Sequence, residues 1–220
     1  MAIADKLTKL ATDITNAYEA VDDKGGTLPL NKNTENLGDA IRSISSGGQA
    51  ALPDGIKFGT YASTNSDMSW LSNVDTSNLT NMAQMFYSCT SLVTVPSFNT
   101  SNVTNMDNLF YGCTQLITAP ELDTSEVTMI RSLFYGCTSL INVPTYNIES
   151  ATNFGNMFTN CSNLSNESLN NILAMCATLT ASVTMSKTLK KIGLSSTQAT
   201  ICQGLSNWAS AQSAGWTTGY

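Results

Sequence analysis

Phe86, Phe110, Phe134 and Phe158 follow one another at intervals of 24 residues, and most of their neighbours keep the same step. Cys89, Cys113, Cys137 and Cys161 do so, as do Leu92, Leu116, Leu140 and Leu164, the threonines at 80, 104, 128 and 152, and Pro96, Pro120 and Pro144. A unit this short cannot bury its own apolar stripe. Successive copies must stack and bury each other's, and about three or more are needed. The period therefore predicts an α/β repeat solenoid with turns of about 24 residues.

Within a unit the pattern reads as a short helical turn followed by a short strand. In "TNMDNLFYGC" Thr104 is placed to cap a helix start, with Asp107 favourable in its first turn. Met106, Leu109 and Phe110 fall at i, i+3 and i+4 and share a core face. Gly112 and Gly136 then let the chain turn, and "LVTV", "LITA" and "LINV" suit brief parallel strands ending at proline. Asn99, Asp123 and Ser101 are suited to hydrogen-bond local backbone on the way to the next unit.

"FYSCT", "FYGCT" and "FYGCT" pair a phenol with a thiol three times over. A nucleophilic cysteine needs a base and only one copy, and the chain has no His, so the cysteines are expected to fill one crowded core column. A line of cysteines spaced by 24 residues also offers zinc no tetrahedron, and parallel Cβ vectors disfavour disulfides. Tyr87, Tyr111 and Tyr135 are candidate binding residues if they form an exposed aromatic column. Alternatively, their rings pack on each other along the flank. Val93, Ile117 and Ile141, with Thr94, Thr118 and Asn142, are expected on the outer strand face as a second candidate surface.

Charged residues amount to 12% of the chain, the formal net charge is −6, and there is no Lys/Arg cluster. Nucleic acid and anionic membranes are therefore not expected as partners. Neither a metal nor a cofactor is expected, and no paired-carboxylate motif or phosphate loop points to an enzyme. No apolar run approaches the roughly 20 residues that span a bilayer. The opening "MAIADKLTKLATDI" lacks the basic and apolar regions of a signal peptide, so assembly in a reducing cytoplasm, with free thiols, is expected.

The expected organisation is a helical attachment or oligomerisation module over 1–44, a linker over 45–50, an N-terminal cap over 51–69, the repeats over 70–165, and a helical C-terminal cap over 166–220. Ile3, Leu7, Leu10, Ile14, Ala17 and Val21 keep a 4,3,4,3,4 spacing, the rhythm of a coiled-coil seam. Two outcomes fit it: a homo-oligomer, with a trimer favoured, or a hairpin against the face of Leu37, Ala40, Ile41 and Ile44. "IKFGTY" is expected as a capping strand with Trp70 over the open end of the core. Leu169, Ile172, Leu173 and Cys176 predict one terminal helix, and Ser195 with Gln198 opens another running to about Ser210.

The string "NTSNVTNMDNLFYGCTQL" resembles the BspA-like leucine-rich repeats of mycoplasma lipoproteins and bacterial surface proteins, over about residues 70 to 165. That resemblance implies a scaffold for adhesion and protein binding with no catalytic residues. "LTKLATDITNAYEAVDDKGGTLPLNKNTENLGDAIRSI" resembles the leader module of tail and other virion proteins of phages infecting Gram-positive bacteria. Together the resemblances imply a non-enzymatic virion protein that binds a virion protein or a host-surface protein or glycan. The alternative is a bacterial surface adhesin.

Overall fold

The computed structural model describes Asp54, Gly55, Lys57, Phe58 and Met68 together with residues 75–179 and 187–219. The expectations for the seam over residues 3–21, for Leu37, Ala40, Ile41 and Ile44, for the linker and for Trp70 lie outside these residues.

Backbone amides show how one unit meets the next. Met82, Gln84, Phe86 and Ser88 donate their N–H groups to the carbonyls of Asn105, Asp107, Leu109 and Tyr111 in the following unit, at 2.7–3.0 Å. The amides between them bond locally, Met85 to Met82, Tyr87 to Gln84 and Cys89 to Phe86. The same alternation recurs one unit later, where Asn108, Phe110 and Gly112 donate to Arg131, Leu133 and Tyr135. Two residues per unit take left-handed backbone to permit it: Gln84, Asn108, Ser132 and Asn156 in one column, and Ser88, Gly112, Gly136 and Asn160 in the other, at φ between 54° and 75°. At the second position glycine removes the Cβ penalty of that conformation, which explains the repeated "YGC".

The helical turn expected in each unit is therefore absent. A helix would direct every amide along its own axis, leaving none to bond the neighbouring unit. Thr104 is a rung instead of a cap: its amide and hydroxyl both donate to the Thr80 carbonyl, at 2.9 and 3.2 Å, and Thr128 and Thr152 repeat the arrangement. Asp107 accepts the Arg131 amide at 2.7 Å. In neighbouring units an asparagine serves the equivalent amide, Asn81 bonding Ala83 and Asn105 bonding Asp107. Met129 occupies that column in the third unit, and the carboxylate of the unit before takes over.

The expected strands are reduced to isolated parallel bridges among the described residues. One series links Asn81, Asn105, Met129 and Asn153, and a single bridge links Thr118 with Asn142. Over "LITA" and "LINV" the chain still bonds across units, Ile117 to Val93 and Ile141 to Ile117, but too briefly to make a continuous ladder.

The core runs along the stack. Phe86, Phe110 and Phe134 lie parallel at 5.2 and 5.4 Å, and Phe158 follows at 5.9 Å. All four are fully buried, which stabilises the fold by about 1.5–3 kcal/mol per side chain. Thr76, Thr100 and Thr124 are buried polar residues, each donating its hydroxyl to a carbonyl of the next unit. In the fourth unit Ile148 takes this column. Tyr146 is buried as well and satisfies its hydroxyl on the Pro120 carbonyl at 2.8 Å.

Both ends of the stack are closed by segments that do not repeat. At the first unit Asp54 stands where a preceding unit would offer a carbonyl, accepting the Thr80 amide and hydroxyl and the Asn81 amide at 2.7, 2.6 and 2.9 Å. Phe58 covers Phe86 with ring centroids 5.5 Å apart. At the other end α1 (Asn166–Thr178) buries Leu169, Ile172, Leu173 and Cys176, and Ser165 caps it. Ser168 accepts the Val143 amide and donates to the Ile141 carbonyl, both at 2.8 Å, and Asn171 donates to the Val143 carbonyl. Next, α2 (Leu189–Ile192) receives the amides of Asn156 and Phe158 on the Lys191 and Ile192 carbonyls. A Cβ on Gly193 would lie 2.4 Å from the Thr159 nitrogen, so only glycine lets this segment close over the last unit.

The terminal helix expected to reach Ser210 is two helices. α3 (Ser196–Cys202) opens on a capping box between Ser195 and Gln198, and α4 (Trp208–Ser213) follows after a break. Gln198 also donates to the Cys161 carbonyl at 2.7 Å, joining α3 to the repeats. Lys187 places its ammonium on the carbonyls of Leu179 and Ala214, which follow α1 and α4, where helix dipoles favour a cation.

Candidate binding surface

Tyr87, Tyr111 and Tyr135 each follow a core phenylalanine and point to the flank of the stack. Their rings lie parallel at 4.8 and 4.6 Å, with interplanar angles of 8° and 2°. Of the two readings open from sequence, the rings do pack on each other. Ring faces within the column are closed, and ring edges and hydroxyls remain for a partner. Tyr87, at the end of the column, is the most open, at 40% exposure. Burial and the adjacent Tyr135 and Tyr87 phenols raise the pKa of the Tyr111 hydroxyl, which keeps it a neutral donor.

Farther along each unit lies the second candidate set. Ile117 and Ile141 are exposed at 41% each, Val93 is half-buried, and Thr94, Thr118 and Asn142 are exposed. Cross-unit amides hold this column: Ile117 donates to Val93, and both Ile141 and Asn142 donate to Ile117. Asn142 reaches the Thr118 hydroxyl at 3.4 Å.

Between the two columns runs a third that sequence reasoning passed over. Thr114 and Thr138 donate their hydroxyls to the carbonyls of Thr90 and Thr114, at 3.5 and 3.3 Å, and Gln115 is exposed beside them. The signal was present as an absence: residues 87–94, 111–118 and 135–142 contain no charged side chain.

The thiols face the other way. Cys113, Cys137 and Cys161 donate to the carbonyls of Phe86, Phe110 and Phe134 at 3.0–3.1 Å, and all six cysteines are free and buried. Contact with Cys89, burial and the neighbouring thiols push Cys113 well up, while burial and Cys161 raise Cys137. Burial takes Cys161 up to about 12. Suppressed thiolates make poor nucleophiles and poor metal ligands. No group of three or more His, Cys, Asp or Glu residues suited to a metal occurs among the described residues. None of the described helices is long and apolar enough to cross a membrane.

These features define a protein of stacked 24-residue units with an uncharged, translationally repeated flank. Residues 57–172, slightly over half of the chain, match the family described as mycoplasma protein of unknown function, DUF285, and the chain belongs to that family. It is the family associated with BspA-like lipoprotein repeats. No curated protein and no solved structure matches the chain.

Proposed function

We propose that this chain is a non-enzymatic binding scaffold, a leucine-rich-repeat-like solenoid whose uncharged flank engages a partner. One observation carries the reading: the same side chains return in column after column at the surface, while the thiols are buried and hydrogen-bonded to backbone. A repeated surface multiplies one weak contact along a rigid body, which suits adhesion.

In the fuller form of this proposal the chain is a phage virion component, on a tail or a capsid, assembled in the host cytoplasm. The leader-like stretch over residues 1–44 would serve for attachment, and the partner is a host-surface protein or glycan or another virion protein. The resemblance of that stretch to virion leader modules motivates it. A bacterial surface adhesin is the second reading, favoured by membership of a family associated with lipoprotein repeats.

Gold-labelled antibody against the chain separates the two. Labelling of purified particles from a lysate of the source strain is expected. Labelling confined to intact cells would overturn the virion assignment in favour of the adhesin.

A further inference from the structure

We infer that the uncharged flank is a binding face for a neutral, linear polysaccharide lying along the stack, with one sugar against each unit. The inference rests on the scaffold reading and names the partner of that same surface.

Charge is the first consideration. Seven charged residues lie between positions 75 and 164, and none falls in the three eight-residue segments that form the flank. A polyanion would meet no cation there and would approach a chain of net charge −6. A polycation would find no carboxylate. The partner that loses nothing on this face is uncharged.

Periodicity is the second. Successive tyrosine rings are 4.8 and 4.6 Å apart, so each group of the flank reappears after about one strand spacing. An extended β-linked pyranose chain advances by a similar step per sugar. Alternate rings of such a chain are turned over, so it can keep one sugar against each unit and return the same ring face to every second one.

The third is chemical fit, clearest in the middle unit. Tyr111 supplies a neutral hydroxyl and a ring edge. The Thr114 hydroxyl donates back to the Thr90 carbonyl, which leaves its oxygen to accept from a sugar. Gln115 and Thr118 are exposed polar groups, and Ile117, exposed at 41%, sits between them. Alternating polar and aliphatic columns suit a pyranose, whose hydroxyls flank an apolar C–H face.

The test uses the full chain, titrated with neutral cello-, chito- and β-1,3-gluco-oligosaccharides of two to six sugars and with anionic hexagalacturonate. Neutral chains are expected to bind, with affinity rising sugar by sugar until the flank is filled and then levelling, and hexagalacturonate is expected not to bind. Ile117→Arg, which lays a long cation across the middle unit, should weaken binding about tenfold or more. Glu126→Gln, outside the flank, should leave it unchanged, and circular dichroism checks that both variants are folded. Failure of every neutral oligosaccharide to bind, or indifference to Ile117→Arg, overturns the inference.

Gram-positive cells treated with glycan-cleaving enzymes (β-1,4-glucanase, chitinase and β-1,3-glucanase) or with protease form a second arm. Attachment lost to protease, retained after the glycan-cleaving enzymes and sensitive to Ile117→Arg would mean a protein partner, ending the glycan inference while leaving the scaffold. Attachment to neither cells nor particles would end both.

Discussion

At Cys113, Cys137 and Cys161 the thiol hydrogen is committed to a phenylalanine carbonyl of the preceding unit, so a column that looks reactive in sequence is structural. The consequence appears in alkali. A thiol in the unfolded chain ionises near 9.0, whereas burial holds Cys161 up to about 12 and Cys202 up to about 11. With the folded value raised, the folded state holds its proton after the unfolded state has released it. The stabilisation is whole below the unfolded value and is lost as pH rises through the folded one. The urea midpoint should therefore fall as pH rises from about 9 to about 12. Cys161→Ala should begin about 1 kcal/mol less stable, through the lost S–H donor, and show a shallower fall. Equal slopes for the two proteins would show that this thiol does not govern the alkaline limb.

The closing segments matter as much as the units, because a stack exposes unpaired amides at each end. Asp54 supplies a carboxylate where a Thr carbonyl would stand, and Asp54→Ala should cost about 1 kcal/mol, as loss of a helix cap does. Its burial acts to raise the carboxyl pKa. Hydrogen bonds from the Thr80 hydroxyl and from the Asn81 and Thr80 amides act against that, and the net pKa lies below 3.8. A depressed folded value means that the carboxylate stabilises above the unfolded value and ceases to do so as pH falls through the folded one. The stability gap between wild type and Asp54→Ala should thus be open at neutral pH and narrow in acid; a gap independent of pH would remove the carboxylate from this role. Little of this closure is visible in sequence, since Asp54 lies 26 residues before Thr80 and so falls out of the 24-residue register. The period itself is plain, and so are the Phe, Cys and Leu columns. The local conformation is not: Met106, Leu109 and Phe110 share a face equally well in a helix and in the observed chain of turns. Only Gly112 and Gly136 hint at the left-handed positions that decide between them. The tyrosine column was legible as a column, but whether its rings stacked or faced outward depended on the separation of units, which no spacing along the chain encodes.

For the whole molecule, closure at both ends constrains self-association. Asp54 and Phe58 occupy one end and α1 and α2 the other, so copies of the described body have no open ladder with which to join end to end. Association, if the chain has it, falls to the stretch with the 4,3,4,3,4 seam, from Ile3 to Val21. Light scattering on the full chain and on a variant beginning at Ala51 tests this division of labour. The shortened chain is expected to be monomeric, because Asp54 and Phe58 cover the first unit and α1 and α2 the last; oligomers of it would show that the ends are not sealed. The full chain is expected to assemble, with a trimer favoured, and a flank of three repeated columns would then be presented several times on one particle. Multivalent presentation converts weak contacts into firm attachment without any new interaction. A monomeric full chain would remove that gain, and any attachment would then rest on the affinity of one flank alone.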